Sequence, residues 1–255
     1  MKKYDDSNYI NTENYLLFCN TNEQDLKLPL KGIVIEFPGL GGGSCLGGGL
    51  MDLRPYDGDG RLTSDKSNNG ILIAYLFPGP WSWGNKGAIR YADAVVSALV
   101  KKYNLEEGFP LVACGGSMGS VGALMYAAEG KFPVCACAIA CPITDVEGFI
   151  SSGEGVPRTI ISAAAGYDMP LQEAIHSFSP IHRVKDMPPI SYYISSDGND
   201  LQFAYAQCDE FIEQLRAGGA DVEYHEQPGL DHGGFTPKIW WGTHAFIRDQ
   251  ILARS

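Results

Sequence analysis

The sequence predicts an α/β protein: a mostly parallel sheet with helices on both faces. Three observations carry that expectation. Short apolar runs such as residues 32–37 (GIVIEF) and 71–77 (ILIAYLF) are continuous rather than alternating, as strands covered on both faces are. Longer stretches between them carry apolar residues at helical spacing, as Ile89, Ala92, Val95, Val96, Leu99 and Val100 do within 88–103. The composition, 45% hydrophobic and 19% charged over 255 residues, suits one sizeable core rather than two domains or a disordered chain.

Taken in order, residues 15–19 (YLLFC) form an early strand, followed by strands at 32–37 and 71–77 that end in PGLGGGS and PGPWSWG. The helix at 88–103 follows, then a strand at 111–114, a glycine-rich turn and a helix at 120–129. Strands at 134–140 and 190–194 come next, then a helix at 203–216 that stops at Gly218-Gly219. A last strand at 222–226 leads through GLDHGG into a C-terminal helix ending near Ala253. Residues 145–187 break the rhythm with Gly148, Gly153, Gly155, Pro157, Pro170 and Pro180. That segment reads as a cap-like insertion of short helices within a single domain spanning 1–255.

The charge balance excludes several function classes. Nineteen basic against 30 acidic residues give a formal charge of -11, which repels nucleic acid and anionic membranes alike. The N-terminal MKKYDDSNYINTENY has no apolar stretch behind its lysines, so neither a signal peptide nor an anchor is expected. Seven cysteines, an odd number, point to thiols in a reducing cytoplasm. Cys135, Cys137 and Cys141 stand among Ala, Ile and Val with no His or carboxylate close by, so they read as core residues, and no metal or other cofactor is expected.

Gly115-Gly116-Ser117-Met118-Gly119 matches G-x-S-x-G. In a chain with 31 glycines the motif alone is weak, and its context decides. An apolar strand runs straight in and a helix of small residues runs straight out, the arrangement that lifts a serine hydroxyl above the end of a sheet. A serine needs a histidine to take its proton. Of five histidines, His232 in the loop after the last strand has the right address; His176 and His182 fall in the insertion, His225 in a strand and His244 in the final helix. The acid belongs after the preceding strand, in SSDGND. Asp200 is the first candidate, Asp197 its rival and Asp145 a distant third. Serine, aspartate and histidine then stand in the order Ser117, Asp200, His232. For the oxyanion, the Met118 N–H is one donor, and Leu40 or Gly41 supplies the second.

Together, GGSMG around Ser117, SDGND around Asp200 and LDHGG around His232 resemble the α/β-hydrolase superfamily, from about Gly32 to the C-terminus. Within it the chain is similar to small single-domain esterases and to prolyl-oligopeptidase-like hydrolases. The resemblance implies hydrolysis of a small-molecule carboxylic ester, or less often a short peptide, through an acyl-enzyme and without a metal. The early loop departs from the family, reading PGLGGGS where HGGG or HGxG is usual. The sequence also holds nothing like the propeller of prolyl oligopeptidases, which directs the expectation toward esters. A non-catalytic, ligand-binding member of the fold is the alternative from another class. Trp81 and Trp83 either line the substrate pocket or pack the following helix, while Arg158 and Tyr167 belong to the roof formed by the insertion.

Overall fold

The computed structural model describes residues 9–40, 61–150, 155–197, 205–227, 229, 232 and 236–255. The described strands form one sheet: β1 (Cys19–Thr21), β2 (Gly32–Phe37), β3 (Ile71–Leu76), β4 (Leu111–Gly116), β5 (Ala136–Ala140), β6 (Ser191–Asp197) and β7 (Asp221–Gln227). Their spatial order is β1-β3-β2-β4-β5-β6-β7, parallel throughout except for β1, which runs antiparallel to β3.

Alternation along each strand divides the core in two. Ile33, Ile35 and Phe37 of β2, with Leu111 and Ala113 of β4, face the larger layer. Val34, Val112 and Cys114 face the other, covered by Ile239, Ile247 and Ile251 of the last helix. The helices are α1 (Arg61–Asn68), α2 (Lys86–Tyr103), α3 (Met118–Glu129), α4 (Val146–Phe149), α5 (Val156–Ala164), α6 (Leu171–Ser177), α7 (Pro180–Arg183), α8 (Tyr205–Ala217) and α9 (Pro237–Leu252). Local chemistry sets their ends. Asn85 caps α2 by accepting from the Ala88 N–H, and Asn104 closes it in the left-handed conformation. Thr236 caps α9, with Pro237 in its first turn. Among the described residues no helix is long and apolar enough to cross a membrane.

Three elements differ from the sequence expectation. In YLLFC the strand begins only at Cys19, after a 3-10 turn at Tyr15–Leu17 whose Leu16 and Leu17 are exposed. Cys19 is opposite Leu76, the last residue of β3, so the residues before it have no neighbouring strand. Helix α1 has too polar a sequence to show a stripe. Its buried anchor is a lysine, Lys66, whose Nζ donates to the carbonyl of His244 in α9 at 2.9 Å. Strand β6 continues to Asp197 because β7 runs alongside it as far as Gln227, although the added residues are polar.

Candidate active site

The chain adds β3 on one side of β2 and then crosses to add β4 on the other. The ends of β2 and β4 therefore diverge into loops of opposite hand, leaving the crevice where open α/β sheets bind ligands. Ser117 follows β4 at this point, and the loop 38–40 follows β2 beside it.

Ser117 has φ 55° and ψ -126°, a conformation that L-residues rarely adopt, and α3 begins at the next residue. Its N–H donates to the Ala140 carbonyl at 3.0 Å, extending the β4–β5 ladder by one rung. Its own carbonyl accepts from the Ser120 hydroxyl at 2.6 Å. That hydroxyl in turn accepts from the Ile143 N–H at 3.0 Å, so Ser120 braces the turn against the loop after β5. The flanking glycines are steric necessities. A Cβ on Gly119 would lie 2.1 Å from the Phe37 carbonyl oxygen, and one on Gly115 would lie 2.4 Å from that of Gly119.

His232 Nε2 lies 2.9 Å from Ser117 Oγ, though 115 residues separate them in the chain. The loop that carries it is closed at its neck: the Gln227 side-chain carbonyl accepts from the Thr236 N–H at 2.8 Å. Gln227 ends β7 and Thr236 caps α9, so the two elements hold the histidine loop between them. A proton on Ser117 Oγ is thus within reach of an imidazole nitrogen, and the helix end behind the serine favours negative charge.

Asp200 and Gly41 lie outside the described residues. Asp197 is the last residue of β6, opposite Gln227 in register, rather than three residues beyond the strand. Asp145 is committed elsewhere, accepting from the Gly148 N–H as the cap of α4. Met118 is buried at the first position of α3, and Leu40 is partly buried against the core. A Cβ on Gly39, in the loop after β2, would stand 3.8 Å from Ser117 Cβ.

The two tryptophans part company. Trp81 is 47% exposed, whereas Trp83 is fully buried. Trp83 Nε1 donates to Thr159 Oγ1 of α5 at 2.9 Å, and its ring packs on Phe149 of α4 at 5.8 Å between centroids. Next to it, Asn85 Nδ2 donates to the Ala163 carbonyl at 2.9 Å and the Lys86 N–H donates to the Tyr167 hydroxyl at 2.9 Å. The loop after β3 thus fastens the insertion to the body of the protein, a role that a Trp in a Gly-rich stretch does not reveal from sequence. Ser120 and Gln227 were equally silent, since each acts through the backbone of a distant segment.

Against known structures, the chain superposes on puromycin hydrolase with a TM-score of 0.68 at 17% identity, covering 89% of this chain and 35% of that one. Esterase B from Lactobacillus rhamnosis matches with a TM-score of 0.60 at 14% identity, over 90% of this chain and 81% of the other. TT1662 from Thermus thermophilus matches with a TM-score of 0.60 at 17% identity, over 90% and 92%. The chain has the α/β-hydrolase fold. The chain spans about a third of the length of puromycin hydrolase but most of the length of the other two. No family model matches its sequence, and no curated protein sequence does.

Proposed function

We propose that the protein is a serine hydrolase that cleaves a small carboxylic ester through an acyl-enzyme on Ser117. The observation that carries this reading is the 2.9 Å approach of His232 Nε2 to Ser117 Oγ at the switch point of the sheet. In the first half-reaction His232 takes the hydroxyl proton as Oγ attacks the carbonyl carbon. The developing oxyanion is held by the Met118 N–H and by a second N–H from Leu40 or Gly41. Collapse expels the alcohol, which receives the proton from His232. Water then repeats the sequence on the acyl-serine and releases the acid. Asp200, following β6, orients the imidazole and stabilises the imidazolium.

Trp81, exposed in the loop after β3, is the aromatic wall proposed for the acyl or alcohol group. The likeness in fold to esterase B supports the ester reading. The likeness to puromycin hydrolase and to Pyrococcus horikoshii acylaminoacyl peptidase makes a short peptide the second substrate class to try. Cys19, Cys114, Cys135, Cys137 and Cys208 are free thiols, which supports a reducing, cytoplasmic setting.

A fluorophosphonate probe should label Ser117, and the protein should hydrolyse a short-chain nitrophenyl ester. Ser117→Ala should abolish labelling and lower kcat by at least about 10³-fold. Undiminished turnover in that variant would overturn the proposal. For the acid, Asp200→Asn should lower kcat by about 10³ to 10⁴-fold with the fold intact, and Asp197→Asn by less than about 10-fold. The reverse ranking would transfer the role to Asp197. Nitrophenyl, feruloyl and acetyl-sugar esters tested beside aminoacyl amides would define the substrate.

A further inference from the structure

Outside the crevice, the densest cluster of metal-ligating side chains among the described residues is Glu147, His176 and His182. They come from three separate helices of the insertion: α4, α6 and α7. His176 Nδ1 lies 3.1 Å from Glu147 Oε1, and His182 Nε2 lies 3.8 Å from Glu147 Oε2. Each oxygen of one carboxylate therefore faces a ring nitrogen of a different histidine. The three donor atoms all lie within 4.8 Å of one another.

We propose that Glu147, His176 and His182 form a zinc(II) site that clips the three helices together. Two imidazoles and a carboxylate are a donor set that suits zinc, with a water completing the tetrahedron. Bonds of about 2.0–2.1 Å put tetrahedral donors about 3.4 Å apart, between the two separations found here. The backbone is already arranged for it. The Val146 N–H, next to Glu147, donates to Ser179 Oγ at 2.9 Å. The Ile181 N–H, next to His182, donates to the Thr144 carbonyl at 2.8 Å. Ser179 is fully buried, so the segment before Glu147 is locked to the turn between the two histidines.

Binding needs one adjustment. The imidazoles are stacked, 3.7 Å between centroids and 15° from parallel, so a single ion does not lie in both ring planes as they stand. His176 is 55% exposed, and turning its ring brings Nδ1 toward the ion at little steric cost. The site serves structure rather than catalysis. Arg183, beside His182, pairs at 3.0 Å with Glu129, the last residue of α3. The helix axis puts that residue about 16 Å from the Ser117 turn.

The test is calorimetric titration of zinc chloride into tag-free, EDTA-treated protein. One equivalent should bind with a Kd of about 10 μM or lower, and zinc at 100-fold its Kd should raise Tm by about 5 °C. His176→Ala/His182→Ala should weaken binding at least about 100-fold while its kcat on a nitrophenyl ester stays within about twofold. Glu147→Gln, which keeps the size of the side chain, should weaken binding at least about 10-fold should the double variant not fold. Cobalt(II) in place of zinc should give a spectrum without thiolate charge transfer. Binding unchanged in the variants, a thiolate band, or no binding up to about 100 μM zinc would overturn the site.

Discussion

The turn at Ser117 and the insertion at 145–187 are held by opposite means. Around the serine, main chain packs on main chain: Gly115, Gly119 and the carbonyl of Phe37 approach so closely that no Cβ fits between them. The insertion is held by side chains, through Trp83 to Thr159, Asn85 to Ala163, Tyr167 to Lys86, and Ser179 to Val146. A strained backbone such as Ser117 at φ 55° persists only where its surroundings leave it no alternative. Contacts made by side chains can be exchanged one at a time, so such a segment tolerates the loss of any one of them better than the turn does.

The sharpest way to break this contrast is Gly119→Ala. The added methyl meets a carbonyl oxygen rather than a flexible side chain, so it should cost about 3 kcal/mol or more, read from urea denaturation. A cost under about 1 kcal/mol would mean that the turn has slack and that the contrast is false. Trp83→Phe should do less. A phenyl ring fills most of the indole's site, and Thr159 keeps its own bond to the Val156 carbonyl at 2.7 Å. Loss of the indole bond and the small void left behind should together cost about 2 kcal/mol. A loss above about 3 kcal/mol would make the insertion as intolerant as the turn.

The smallest effect lies on the opposite layer, where charge rather than shape is decisive. Burial holds His244 down to about 3 from its ordinary 6.5, with the neighbouring Lys66 acting in the same direction. Lys66 is itself lowered to about 8 by burial, partly offset by Asp65. Between pH 6.5 and 3 the unfolded His244 binds a proton that the folded one does not, so stability falls as pH drops through that window. The loss should be at most about 1.4 kcal/mol per pH unit, the value for one proton, and His244→Gln should flatten it. For Lys66 the unfolded chain binds the extra proton between about 8 and 10.5, so stability should rise with pH there. An equal acid slope in wild type and His244→Gln would assign the sensitivity to other groups.

Much of this molecule was legible in one dimension. Four of the seven described strands, β2 to β5, coincide with apolar runs, because a strand buried on both faces must be apolar throughout. The stop of α8 was readable from Gly218-Gly219, since that signal acts within a few residues of itself. The polar extension of β6 to Asp197 was not, because it depends on how far β7 happens to run beside it. Nor was α1, whose core contact is a lysine aimed at a carbonyl 178 residues away.

The same division applies to the site. Sequence alone determined the elbow around Ser117, because strand, glycines and helix are contiguous and their steric requirements are local. It also singled out His232 by its position after the last strand. The 2.9 Å distance between the two, the brace from Ser120, the neck formed by Gln227 and Thr236, and the packing of Trp83 against α4 and α5 were decided by the tertiary structure. So was the meeting of His176, His182 and Glu147, residues with no shared motif. Each of these joins segments far apart in the chain, and their separation depends on how the sheet and the helices pack. Side-chain identity restricts what a residue can do; only packing decides which partner it meets.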